Sequence, residues 1–538
     1  DVQYEGSWGV VRGGVHYNWF GEKLRTFAFD NPFRATDATD ASAYLGPGSS
    51  SIAGPRYGLM SLPPDNSAFT GTVGTTLRLP SRTRVSADVS IGSRRQNETP
   101  FIPYTTNTAI RIPGSTLLPT DVASLPARQL DGKADVTSLS AMVSSRPAGR
   151  LSVTARYRRY DFDNQTGRIA FPGYVRFDGV WEDIPRISVP YGYTNNRFDA
   201  TLGYGFGPLN LEGGFRHTSF ARTFRETEDT RENGFVFNAD FRTAGWVLVR
   251  GLYELGRRDF DGLEIELSED ASFQNPGAPA NLFAVEPTTR QVSGAPLCPP
   301  GTVCNLRFDQ SKRDFDRFGG QVQLSPGGDT TIAFAYSNTM YDYTESRFGL
   351  TESKYETFSA DVDYAPNARW SVYAYYNREA IRDVQRGRQS AGTVSSNPAD
   401  DWTSEVDDRV NSVGGGARFT LVPDKWTLDV SGQYQKVDGN NDIEAFPGGL
   451  PFNARAALGG VQDLGLYDDT RITTFSATLR YRFSRDWETG VAGWFEDYTI
   501  NDSNTAGVLN YVPGSFFLVP NDGDYQAKWG YLFLTYRF

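Results

Sequence analysis

The segment Trp529–Phe538 reads WGYLFLTYRF, and its alternation decides the fold. Leu532, Leu534, Tyr536 and Phe538 share one parity, while Thr535 and Arg537 share the other, joined by Phe533. Successive side chains of a β-strand point to opposite faces. This strand therefore has one face for an apolar phase and one for a wetter phase. It also finishes on an aromatic side chain, where most domains fray into polar residues.

The 538 residues would suffice for three or four ordinary domains. Yet only 39% of them are hydrophobic, and the mean hydropathy is -0.46. No run of about 18 apolar residues is present, so no transmembrane helix is expected. Aromatics reach 14%, with 28 Tyr, 36 Phe and 10 Trp beside 55 Gly, whereas Met falls to 3 and His to 2. That is the profile of a large all-β protein. The net charge of -11 argues against a nucleic-acid partner, which favours a basic stripe. Cys298 and Cys304 bracket CPPGTVC. Their short spacing reads as a disulfide formed in an oxidising compartment, set against a pair of free thiols; two ligands without a nearby His make half a metal site at best.

Working outward from the final strand, one unit recurs: strand, very short turn, strand, long polar connection. In SLSAMVSSRPAGRLSVTARYRRYDF (138–162), Leu151, Val153, Ala155 and Tyr157 face one way and Ser152, Thr154, Arg156 and Arg158 the other. The same grammar governs 358–379, 414–435 and 474–498, which turn at APNA, VPDK and SRD. Strict alternation of this length is the strongest strand signal a single sequence offers. Short turns are expected near 80–82, 147–149, 206–208, 243–245, 326–328, 365–368, 422–424 and 484–486. Between them lie long Pro-, Gly-, Asn- and Asp-rich stretches near 95–134, 163–194, 260–313, 384–406, 438–469 and 502–527, and brief ones near 225–230 and 348–353. Short turns at one end and long loops at the other is the asymmetry of an outer-membrane barrel. Trp370, Trp426 and Trp487, each just after a short turn, fit an interfacial aromatic girdle on that side. The reading is one antiparallel transmembrane β-barrel domain over 1–538. Its short turns are periplasmic, and 260–313 forms an extracellular or lumen-folded loop holding Cys298 and Cys304.

Hairpins between 71 and 501, the closing strand, and two strands near VQYEGSWGVV and VHYNWFGEKLRTFAFD give about nineteen strands. Bacterial single-chain barrels have an even number, so the expectation is 20 or more (20–26), with a strand preceding Asp1 and an incomplete N-terminus. Twenty strands imply a backbone diameter of roughly 40 Å and a bore of about 20 Å. An open hole of that width would abolish the membrane's barrier, so something must fill it.

Three blocks carry a family resemblance: LPPDN (Leu62–Asn66), LPSRTRVSADVSIG (Leu79–Gly92) and PFIPYT (Pro100–Thr105). Together with VRGGVHYNWF (Val11–Phe20), AFDNPF (Ala28–Phe33) and LRYRFSRDWETGVAGWFEDY (Leu479–Tyr498), they resemble the MtrB/PioB family of outer-membrane barrels that sheathe a decahaem cytochrome. YLFLTYRF is similar to the C-terminal strand signature of Gram-negative outer-membrane proteins, which implies that Leu534, Tyr536 and Phe538 are read by the barrel-assembly machinery. The family resemblance implies a multihaem c-type cytochrome in the lumen, a second cytochrome outside, and haem-to-haem electron transfer across the outer membrane. It implies no enzymatic role. Some members carry an N-terminal CxxC, which is absent here and weakens any redox-regulatory role. The residues agree on one point: there is no CxxCH and the only histidines are His16 and His217, so any haem chain belongs to a partner.

Other candidates weigh less. His217, in FRHTSF, lacks the neighbours of a catalytic set and reads as a wall residue, as does His16. Asp438, Asn440 and Asp442 in DGNNDIE place oxygens at alternate positions and form a calcium candidate, but without the EF-hand glycine and final glutamate a solvated loop competes. Thr154, Arg156, Arg158, Arg418, Arg480 and Arg482 share the inward parity and are the expected contacts to whatever fills the lumen, haem propionates included. The alternative function is a large porin or solute channel without a redox partner.

Overall fold

A computed structural model describes residues 1–30, 57–97, 111–112, 114–118, 120–171, 186–225, 227, 229–261, 308–344, 348–388, 401–445, 463–502 and 523–537. Contacts divide the chain into two compact units. The first is Asp1–Thr201, Arg216–Glu232 and Asp259–Pro287, and the second is Leu202–Phe215, Asn233–Arg258 and Thr288–Phe538.

The first unit begins with β1 (Val2–Gly6) and β2 (Gly9–Phe20), followed by a short ladder of β3 (Thr26–Asp30) with β4 (Tyr57–Ser61). It continues through β5 (Asn66–Leu79), β6 (Thr83–Gln96), β7 (Gly132–Ala148) and β8 (Leu151–Asn164), then a two-residue ladder of β9 (Ala170–Phe171) with β10 (Arg186–Ile187). Strands β11 (Tyr193–Phe206), β12 (Leu209–Arg222), β13 (Asp229–Ala244) and β14 (Val247–Asp261) are each divided between the two units. The second unit holds β15 (Arg313–Leu324), β16 (Thr330–Asp342), β17 (Gly349–Asn367), β18 (Trp370–Arg388), β19 (Asp401–Val422), β20 (Trp426–Ala445), β21 (Asp463–Arg482), β22 (Trp487–Asp502) and β23 (Tyr525–Tyr536). Apart from the two short ladders, these strands form one 19-stranded sheet. Neighbours in the chain pair antiparallel, as in β5–β6–β7–β8 and from β14 to β23.

The nineteen strands counted in the sequence form this sheet, against an expected total of 20 or more, and the expected turns fall between paired strands. At 80–82 the chain reverses with Ser81 (φ 58°) and Arg82 (φ 52°) both left-handed, the backbone of a hairpin turn that ordinarily recruits Asn-Gly. Gly207 (φ 71°) does the same between β11 and β12.

Two long connections are shorter than expected. Strand β18 runs to Arg388 and β19 begins at Asp401, while β20 runs to Ala445 and β21 begins at Asp463. Cross-strand ion pairs hold these polar tips in register. The Arg382 guanidinium grips both oxygens of Glu405 at 2.6 and 2.9 Å and reaches Glu352 at 2.8 Å. Arg382 lies twelve residues from Trp370, about 30 Å along the normal for a tilted strand and beyond the ~25 Å apolar band. There the guanidinium holds the Glu405 carboxyl below the usual carboxylate range, so the contribution of this tie is present above that range and is lost as pH falls through it and below.

Burial is inverted relative to a soluble protein. Ala134, Phe315, Tyr343, Phe348, Val384 and Ala492 are the buried apolar residues among those described, while Phe69, Val73, Ile91, Leu202, Phe237, Val413, Phe475 and Leu534 are exposed. The exposed side chains share one sheet face. On β23, Leu532 and Leu534 are 83% and 62% exposed on that face, while Thr535 and Phe533 pair with Glu488 and Gly490 on the other. No helix among the described residues is long and apolar enough to cross a membrane; strands of this length cross it instead.

Leu532 sits four residues inside the Trp487–Tyr536 pair that edges the sheet, about 10 Å into the apolar band. Leu532→Arg is expected to cost about 2–4 kcal/mol in urea unfolding from lipid vesicles. Thr535→Arg, on the opposite face, is expected to cost well under half of that.

Candidate functional site: the polar wall

The opposite face carries Arg, Asp, Glu, Ser, Thr and Gln, and in three places a single carboxylate serves several arginines. On β8, β11 and β12, Asp199 accepts from Arg216 Nε at 2.8 Å and Arg197 Nε at 3.1 Å, with Arg158 Nη2 at 3.6 Å. On β19–β21, Asp429 takes Arg418 Nε at 2.7 Å together with Arg480. On β21–β23, Glu488 lies 3.4 Å from both Arg482 and Arg537. Partly exposed pairs of this kind contribute about 0–1 kcal/mol each, so their importance is less stability than charge. Each cluster keeps one or two positive charges in excess, in a chain whose net charge is -11.

The sequence-predicted wall residues stand as follows. Arg158, Arg418, Arg480 and Arg482 enter these clusters. Arg156 reaches Met142 Sδ at 3.4 Å, and Thr154 lies opposite Ser144. His16 Nε2 approaches Asp1 at 3.4 Å on β2, and His217 lies within β12. Asp438, Asn440 and Asp442 lie in strand β20, not in a loop. Asp438 pairs with Lys436 at 2.5 Å, and the Asn440 amide donates to Asp442 at 3.1 Å, where the pairing with β21 shifts register. No group of three or more metal-ligating His, Cys, Asp or Glu occurs among the described residues. Cys298, Cys304 and most of 260–313 lie outside the described residues, as does Phe538, while Leu534 and Tyr536 close β23 on the apolar face.

Aromatic rings also line the polar face. Tyr193 stacks with Tyr160, Phe162 and Phe220 at 5.7, 5.8 and 5.4 Å, and the Arg222 guanidinium covers Phe220 at 4.1 Å. In the second unit, Trp494, Trp529, Tyr531 and Phe533 form a continuous run with centroid spacings of 5.8, 5.3 and 5.9 Å. Phe533 lies flat against Gly490, where an added Cβ would sit 2.4 Å from the ring. Gly414 and Gly416 likewise make room for Tyr375 and Tyr373. Sequence reasoning missed the carboxylates and these rings; alternate placement of Trp529, Tyr531 and Phe533 was the available signal for the run.

A 19-stranded antiparallel sheet, apolar on one face and Arg-rich on the other, with aromatic edges and short turns at one end, defines an outer-membrane β-barrel. The model of the outer membrane beta-barrel porin family MtrB/PioB matches residues 1–538, and the chain belongs to that family. It is a protein of the outer membrane. A relative from Shewanella baltica (strain OS185), outer membrane protein MtrB, is 24% identical over 420 residues, 77% of this chain and 52% of that protein. The chain thus spans about half the length of the curated relative it matches. Among solved structures it is similar to the copper transporter OprC (TM-score 0.46, 9% identity, 99% of this chain and 76% of that one). It is also similar to the ferric-catecholate import receptor Fiu from E. coli K12 (TM-score 0.46, 11% identity, 93% and 72%).

Asp429→Asn removes the carboxylate between Arg418 and Arg480. In planar bilayers containing the purified barrel, the reversal potential under a salt gradient is expected to move toward anion permeation. Arg418→Gln is expected to move it the opposite way.

Proposed function

We propose that this chain is the barrel subunit of a porin–cytochrome conduit, sheathing and positioning a multihaem c-type cytochrome that carries electrons across the outer membrane. The observation that carries this reading is the polar wall, where single carboxylates each hold two or three arginines and leave positive charge facing inward. Such a wall suits an occupant presenting carboxylates, whether acidic side chains or haem propionates. The flat rings of Tyr193 and Trp529 supply rigid contact area between the charged clusters. Strand number supports the same reading: barrels of 16–18 strands already leave an aqueous channel, and a 19-stranded wall calls for a filling.

The haem is the partner's, because this chain offers only His16 and His217, on separate strands, and no CxxCH. What the chain's own residues do is mechanical and electrostatic. The apolar face seals the complex in lipid; the arginines orient the occupant; the packed wall excludes water and ions around it. It performs no catalysis of its own. A second cytochrome outside and the barrel-assembly machinery complete its proposed partners.

Gentle detergent purification from the native membrane tests this. A Soret band and a haem-stained species should co-elute with the barrel in fixed stoichiometry, and Arg158→Gln with Arg216→Gln should lower the salt concentration at which haem is lost. A colourless, monodisperse barrel giving small, stable, selective conductance steps would instead establish a solute channel.

A further inference from the structure

On the apolar face of β18–β21 the side chains change character at one level. One cross-strand row holds Tyr376, Val413, Tyr434 and Thr473. The next row, toward the long connections, holds Arg378, Asn411, Lys436 and Arg471. The row beyond holds Ala380, Arg409, Asp438 and Asp469.

Lys436 and Arg471 are direct cross-strand partners, and so are Asp438 and Asp469. Like charges directly opposite one another destabilise a sheet. Asp438 also faces Arg409 across the β19 ladder, an opposite-charge pair, whereas Lys436 faces only Asn411 and Arg471. The ion pairs along each strand, Lys436–Asp438 at 2.5 Å and Arg471–Asp469 at 3.0 Å, offset this arrangement only in part, since partly exposed pairs are weak. The basic groups Arg378, Lys436 and Arg471 therefore gather at one level with no acidic partner directly across the strands, and the ladder itself gives no reason for it.

The level itself supplies one. Trp426 marks the short-turn edge, and Lys436 lies ten residues along the same strand. At ~3.3 Å per residue and a tilt of ~40° that is about 25 Å, the height of an outer-membrane barrel's apolar band. Tyr376 and Tyr434 form the aromatic edge of that band, and the basic row begins one step above it. In an outer membrane, the long-loop end of the barrel meets the outer leaflet, whose glycolipid carries phosphates at this depth.

We propose that Arg378, Lys436 and Arg471, with Arg409 one row above, form a binding site for the phosphate groups of a lipid A-type glycolipid of the outer leaflet. Guanidinium and ammonium donors pair with phosphate oxygens, Tyr376 and Tyr434 lie against the acyl–headgroup boundary, and the anion offsets the Lys436–Arg471 repulsion. The site is on the membrane face and is independent of what fills the lumen.

Native mass spectrometry of the purified barrel in detergent, with bis-phosphorylated lipid A added as probe, tests this. The barrel should retain lipid A in preference to its dephosphorylated form and to phosphatidylglycerol, and millimolar inorganic phosphate should not displace it. The variant Arg378→Gln/Lys436→Gln/Arg471→Gln should lower occupancy about tenfold or more. The exchange Lys436→Asp with Asp438→Lys should also lose lipid A while keeping the heat-modifiable gel mobility of a folded barrel. The proposal is overturned if folded variants keep wild-type occupancy, if the dephosphorylated lipid binds equally, or if inorganic phosphate alone competes the lipid away.

Discussion

Inside hydrocarbon no water is available to satisfy a backbone N–H or C=O, so each must find its partner within the protein. That constraint fixes the antiparallel ladder from one strand to the next, and the ladder in turn fixes parity. Once a strand's register is set, every second side chain belongs to lipid and every other to the interior, and a slip of one residue would reverse both faces. Leu532, Leu534 and Tyr536 on one side of β23, and Phe533, Thr535 and Arg537 on the other, are the direct consequence. So are the glycines at 414, 416 and 490, which give way where an inward ring lies flat on its neighbour.

The two faces solve different electrostatic problems. On the inner face, Asp199, Asp429 and Glu488 each bridge several guanidiniums. The wall is thereby ordered, and these three clusters are left positive. On the outer face of β18–β21, charge is absent from the short-turn edge to the row of Tyr376 and Tyr434 and then returns with Arg378, Lys436 and Arg471. The tips beyond that level are knitted by pairs such as Arg382 with Glu352 and Glu405, which keep long polar strands paired where an apolar environment no longer enforces it.

Much of this was legible in the sequence, because parity is a period-two signal that survives without any knowledge of partners. The strand number, the short turns, the edge tryptophans and the inward parity of Arg158, Arg418, Arg480 and Arg482 all follow from it. What did not follow was register. Nothing in the spacing of Arg418 and Arg480 says that both meet Asp429, and nothing near Arg158 announces that Asp199 is shared with Arg197 and Arg216. For the same reason DGNNDIE looked like a loop: its Asp and Asn residues are turn formers by propensity, but in β20 they are held by cross-strand pairing that only the fold reveals.

The most direct test of the two-faced wall is single-cysteine labelling along β20 from Trp426 to Gln435 in a Cys298→Ser/Cys304→Ser background. Odd positions, such as Asp429, Ser431 and Gln433, should react with a charged, water-soluble thiol reagent in the empty barrel. They should become protected when the native lumenal partner is present. Even positions, such as Leu428 and Val430, should resist that reagent in both states. Labelling without regard to parity, or odd positions equally open in the purified native assembly, would contradict the account.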